Sequence, residues 1–232
     1  LVNYYNQNWV SFKWPSGAGA TISSPVNDAL GGGGSSRSMA VTGSNTLSDG
    51  TNGWGLKSPL AASGGLNVSS WFAGLSFYIR ASSATTIRAN LESAAQTSGS
   101  DHWGYNVAVT QANTWIAVTI LKEQFTQGGW GTTIALNTAL GQLSSVNWQT
   151  QGVTTSNLVL YVDQVCLLDP TPPPTFTFTR TPTRTPTSNP NLACYSLDNL
   201  EDLDLTNQTG GAWVSYKWPS TGAGVTVGTP VN

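Results

Sequence analysis

Residues 75–81 read LSFYIRA. Leu75, Phe77 and Ile79 alternate with Ser76, Tyr78 and Arg80, the period-two pattern of a strand with one face in a core and the other in water. Working outward, similar runs recur: SMAVTG at 38–43, TIRANLE at 86–92, WGYNVAV at 103–109, WIAVTIL at 115–121 and LVLYVDQVCLL at 158–168. Turn-forming glycines punctuate them at Gly31 to Gly34, Asp49-Gly50, Asn52-Gly53, Gly64-Gly65 and Gly128-Gly129. Many short strands with dense turn signals predict an all-β sandwich.

Composition narrows the function classes. Hydrophobic residues make up 39% of the 232-residue chain, enough for a core, but charged residues only 9%, against about 25% in ordinary soluble domains. Ser, Thr, Asn, Gln and Gly supply the surface polarity, a composition of extracellular β-rich proteins. The net charge of −2 argues against nucleic-acid binding, which needs clustered Lys and Arg to neutralise phosphates. No run of about 18 apolar residues predicts a transmembrane helix.

The organisation is set by a repeat. QNWVSFKWPS at 7–16 returns as GAWVSYKWPS at 211–220, and GAGATISSPVN at 17–27 returns as TGAGVTVGTPVN at 221–232. Fixed self-similarity of this kind changes what counts as a domain. The expected layout is a β-sandwich bead over 1–168 that lacks its own first strand, an extended linker over 169–192, and the opening of a next repeat over 193–232. Adjacent copies of the repeat are the expected partners, joined by linkage or by strand addition across an open sheet edge.

The linker, DPTPPPTFTFTRTPTRTPTSNP, is rich in proline, which favours extended, donor-poor backbone and makes a semi-rigid spacer. Thr175, Thr177, Thr179, Thr181, Thr183, Thr185 and Thr187 occupy alternate positions. They read either as solvated spacer residues or as O-glycosylation sites of a stalk. Asn67 and Asn207 open the sequons Asn67-Val68-Ser69 and Asn207-Gln208-Thr209, which permit N-glycosylation.

The order FYIRA, WGYNVAV, TWIAVTILKEQFTQGGWG, LSSVNWQTQG and LVLYVDQVCLL resembles the galactose-binding-like jelly rolls of carbohydrate-binding modules, families 11 and 30 above all. LDNLEDLD at 197–204 resembles their acidic opening stretch, with Leu200 in place of an aromatic. The resemblance implies a jelly-roll sandwich and polysaccharide as a ligand. It also implies a structural Ca²⁺ near the first and last strands, with Glu201, Asp204 and Asp163 as its carboxylates; hard oxygen ligands suit that ion. No organic cofactor is implied.

Ten Trp and seven Tyr offer faces on which sugar rings stack. Trp54, Trp103, Tyr105 and Trp130 are the candidates, because they lie beside glycines or beside Asp101 and His102. Trp14, Trp115 and Trp148 stand in strand-like contexts and read as packing. No pair of carboxylates suited to glycoside hydrolysis is recognisable, nor any G-x-S-x-G, H-E-x-x-H or phosphate-loop pattern, so an enzyme is not expected. Cys166 and Cys194 give one pair per period and suggest a disulfide in an oxidising compartment. Either they join equivalent residues of adjacent periods, or they pair directly and fold the linker back. Two functional readings follow: a structural bead of an extracellular fibre or surface stalk, or a carbohydrate-binding module of a secreted adhesin or glycanase.

Overall fold

The computed structural model describes residues 3, 7–14, 19–46, 52–96, 101–150 and 154–170, together with the backbone of 193–196. In chain order the strands are β1 (Val10–Trp14), β2 (Ala20–Ile22), β3 (Val26–Asp28), β4 (Ser38–Asn45), β5 (Gly53–Pro59), β6 (Gly74–Ala81) and β7 (Thr85–Ser93). They continue as β8 (Trp103–Val109), β9 (Ile116–Leu121), β10 (Thr126–Gln127), β11 (Leu143–Thr150), β12 (Thr155–Asp169) and β13 (Ala193–Ser196), with one short helix, α1 (Leu136–Leu140), before β11.

Two antiparallel sheets form among the described residues. One has the order β1-β5-β11-β7-β8-β10; the other runs β2-β4-β12-β6-β9, with β3 on β4 and β13 on β12. The chain crosses between them repeatedly, β4 to β5, β5 to β6, β6 to β7 and β11 to β12, so neither sheet assembles from consecutive hairpins alone. This is the β-sandwich that the strand pattern predicted, in the jelly-roll form that the family resemblance implied.

The core lies between the sheets. Leu75, Phe77 and Ile79, the alternating residues of β6, are at most 2% exposed. They meet Trp54, Leu56, Ile87, Leu91, Val146 and Trp148 from the other sheet in one apolar cluster. Trp148 stands near its centre, stacked on Trp9 at 5.9 Å and edge-on to Phe77 at 5.4 Å. Such aromatic pairs add to the large area each ring buries. Gly43 on β4 makes room for Trp54, because a β-carbon there would strike the indole.

β12 is the long seam of its sheet. Along its first half it pairs with β4 from Thr155↔Asn45 to Val162↔Met39, and β6 flanks it from Leu160↔Ala81 to Leu168↔Gly74. A bulge between Asp163 and Cys166 bends the strand, with Gln164 at φ 46°, as bulges do when one strand carries an unpaired residue. Beyond the bulge β13 pairs with it, Cys166↔Ser196 through Asp169↔Ala193. The segment read from sequence as opening the next repeat therefore lies, at 193–196, against the closing strand of its own chain. Cys166 is disulfide-bonded. The linker threonines, Glu201, Asp204, Asn207 and the second copy of the repeat fall outside the described residues. No helix among the described residues is long and apolar enough to cross a membrane.

Candidate functional site

Antiparallel partners directly opposite each other point to the same side of a sheet, so register fixes what each face carries. On β7, Ile87, Ala89 and Leu91 enter the core, which sends Thr86, Arg88, Asn90 and Glu92 outward. On β11 the outward set is Ser145, Asn147 and Gln149, opposite Glu92, Asn90 and Arg88. β5 adds Gly53, Gly55 and Lys57; β8 adds Gly104 and Asn106; β1 adds Val10, Phe12 and Trp14, opposite Lys57, Gly55 and Gly53. The outer face of the six-stranded sheet is thus a band of amides and charges with two aromatics along one edge.

The band is tightly built. Asn90 is 1% and Asn147 2% exposed, and Asn90 Nδ2 donates to Asn147 Oδ1 at 2.9 Å. Asn90 Oδ1 is buried and has no hydrogen-bond partner, a costly state for a polar atom without water or ligand. Arg88 donates from one terminal nitrogen to Asn106 Oδ1 at 3.2 Å and from the other to the Thr126 carbonyl. Gly104 is required between them, since a β-carbon there would collide with Asn90 Oδ1 and Arg88 Nε.

Lys57 ties the band to the aromatic edge. Its Nζ lies 2.6 Å from Glu92 Oε2 and 5.4 Å from the centroid of the Phe12 ring, within cation–π range. Phe12 and Trp14 stack with centroids 6.0 Å apart and planes 24° apart. Both lie half-buried on the glycines of β5, where any side chain at Gly53 or Gly55 would enter their rings. Burial pushes the Glu92 carboxyl up, but the Lys57 ammonium and hydrogen bonds from Lys57 and Ser145 outweigh it and hold the group below its ordinary value.

At the far end of the band sits the loop after β7. Asp101 is fully buried; its carboxylate accepts from Gly129 N–H, and its carbonyl accepts from Gln96 at 2.6 Å and Gln127 at 2.8 Å. His102 Nδ1 lies 2.9 Å from Gln96 Oε1. Burial, reinforced by Lys57 and Arg88, depresses the imidazole below its ordinary value despite the pull of Glu92 and Asp101. Trp130, 59% exposed, stands edge-on to His102 at 5.9 Å.

Of the aromatics singled out from sequence, the structure puts only Trp130 beside this band. Trp54 is 0% exposed and its Nε1 donates to Thr155 Oγ1 at 3.1 Å, so it is a core residue with no face open to a sugar. The expectation failed because its flanking glycines, Gly53 and Gly55, are strand residues beneath Trp14 and Phe12 rather than turn residues. Trp103 shares the core-side face with Leu91, and its Nε1 donates to the Ile134 carbonyl at 2.9 Å. Tyr105 shares that same side with Ala89, 36% exposed. Trp14, expected to be packing, lies on the outer face instead.

The remaining candidates are dispersed. Asp163 is buried on the other sheet, where its carboxylate accepts from Gly32 N–H and Gln164 N–H, both at 2.7 Å. Among the described residues no group of three or more His, Cys, Asp or Glu is placed to hold a metal ion. Asn67 is exposed, and its Oδ1 accepts from Ser69 N–H and Ser69 Oγ.

No protein-family model and no curated protein matches the chain. Solved structures do. The family 11 carbohydrate-binding module of a cellulosomal cellulase of Clostridium thermocellum is 18% identical, with a TM-score of 0.47 over 68% of this chain and 86% of that one. A family 11 module from the same organism, in complex with a β-1,3-1,4-mixed-linked tetrasaccharide, is 21% identical with the same coverage and TM-score. A family 4 module is 16% identical, with a TM-score of 0.38 over 68% of this chain and 91% of that one. At these identities and TM-scores the likeness says nothing of ligand or activity.

Proposed function

We propose that this protein is a carbohydrate-binding module whose ligand lies across the outer face of the six-stranded sheet. The observation that carries this reading is the band of Lys57, Arg88, Asn90, Glu92, Asn147 and Gln149 on three adjacent strands, edged by the stacked Phe12 and Trp14. A sugar ring offers both needs of such a surface. Its hydroxyls donate and accept in pairs, which amides, guanidinium and carboxylate can meet, and its C–H faces cover aromatic rings. A neutral polysaccharide is the class that fits, since Lys57 on this face is paired with Glu92 and the Arg88 guanidinium has the Asp101 carboxylate as its charge neighbour.

Affinity electrophoresis against a panel of soluble glucans, mixed-linked β-glucan among them, tests this. Retardation that Trp14→Ala weakens at least about tenfold is expected, from the cost of losing an aromatic contact. Trp103→Ala, on the opposite side of the sheet, serves as the control. No retardation by any glucan, or equal loss from both variants, would overturn the reading.

The repeat of 9–27 at 213–232 favours a second and compatible reading, in which such beads are strung as an extracellular array on Pro/Thr spacers. Electron microscopy of the parent chain would show evenly spaced beads; a single globule would refute it.

A further inference from the structure

The first copy of the repeated motif is a structural unit. Trp9, 5% exposed, stacks on Trp148 in the core. β1 adds an edge strand to β5 from Val10↔Lys57 to Trp14↔Gly53. β2 pairs with β4 from Ala20↔Asn45 to Ile22↔Gly43, and β3 follows from Val26↔Ala40 to Asp28↔Ser38. Each of these strands lies at a sheet edge, so the unit can leave or enter without breaking the central ladders of β11, β7 and β12.

The second copy carries the side chains that this place requires. In register, Trp9 corresponds to Trp213, Phe12 to Tyr216, Trp14 to Trp218, Ile22 to Val227, Pro25 to Pro230 and Val26 to Val231. The Ser11 and Lys13 positions are also kept, as Ser215 and Lys217, so the period-two pattern that sorts side chains between the two faces is intact. Ala20, 3% exposed, is replaced by the larger Val225, which favours the resident copy in a packed site.

The chain is back against the bead at 193–196, before the second copy begins. β13 pairs with β12 at 193–196, and residues 197–212 then connect it to Trp213. Extended, that connection reaches at most about 55 Å, against a radius of gyration of about 16 Å for a bead of this size. A tether of that length gives an effective concentration in the millimolar range.

We propose that residues 213–232 are an interchangeable second copy of residues 9–27, which hold β1, β2 and the start of β3, able to take their place on β5 and β4 of the same bead. The two copies compete within one chain, and Tyr216 and Trp218 then stand where Phe12 and Trp14 stand now. This does not rest on the sugar-binding reading.

Hydrogen exchange read by mass spectrometry on the full chain tests it, in the unmodified protein, Trp9→Ala, and Trp9→Ala with Trp213→Ala. Removing Trp9 penalises the resident copy, so in Trp9→Ala the peptides from 10–14 are expected to lose protection while those from 214–218 gain at least about tenfold. The gain should be unchanged over a tenfold range of protein concentration, and the double variant should lose protection in both segments. Identical exchange of 214–218 in Trp9→Ala and in the unmodified protein would overturn the proposal, as would global unfolding of Trp9→Ala. A gain that rises with concentration would assign the exchange to a second molecule and equally overturn it.

Discussion

The two outer faces of the sandwich are built from the same strand geometry and end in opposite states. On the seven-stranded sheet the outward residues of β6 and β12 are closed over by their own chain. Arg80 lies 5.0 Å from the Tyr161 ring centroid, Trp115 stands edge-on to Tyr161 at 6.2 Å, and the glycine loop at 31–34 sits against Tyr78 and Trp115. Gly32 N–H and the Gln164 amide, bonded to Asp163 and to the Gly32 carbonyl, lock that loop down. On the six-stranded sheet a polar band is left with Asn90 Oδ1 unmet and with aromatics at its edge. The difference is one of cover: one outer face is shut beneath its own glycine loop and aromatic rings, while the other is left as a polar band with stacked aromatics at its edge.

The largest effect that can test this contrast comes from between the faces. Trp54→Ala should cost about 3–5 kcal/mol by urea unfolding, as for any large aromatic removed from a core; a normal midpoint with lost glucan binding would return Trp54 to the ligand surface. Next, Arg88→Ala should weaken glucan retardation by about 10- to 100-fold, the worth of hydrogen bonds from a charged donor. Arg80→Ala on the opposite face should leave it unchanged, and equal effects would erase the distinction. Gly33 has φ 59° and faces the Tyr78 ring, so Gly33→Ala should lower stability by about 1–2 kcal/mol without touching affinity.

The smallest effect is a pH dependence. Glu92 is held below its ordinary carboxyl value in the folded protein. Its contribution is therefore present above the unfolded-chain value of about 4.3 and is lost as pH falls through the lower folded value, where both states carry the proton. Glu92→Gln should flatten that acid limb in urea midpoints measured between pH 3 and pH 7. An unaltered limb would show that the pair with Lys57 contributes nothing.

Legibility in the sequence followed side-chain chemistry. WGYNVAV at 103–109 became β8 over the same residues, and LSFYIRA at 75–81 became β6 with one residue added, because apolar and β-branched residues alternate there. β5 was not legible: Asn52-Gly53 reads as a turn, yet Gly53–Pro59 is a strand whose glycines exist to seat Phe12 and Trp14. The part of the site that could have been found is TIRANLE, where period two alone puts Arg88, Asn90 and Glu92 on one face. Its partners on β11 and β5 are remote in sequence and met only through register.

By itself the sequence determined that the chain is a β-sandwich, that a proline-rich stretch interrupts it, and that the sequence of 9–27 recurs at 213–232. Periodicity, proline content and self-similarity are local properties, so they survive without coordinates. Only the tertiary structure decided which aromatics are core and which are surface, and that three separate strands lay their amides and charges side by side. Those outcomes depend on which residues stand opposite one another across strands, and that is settled when the two sheets pack.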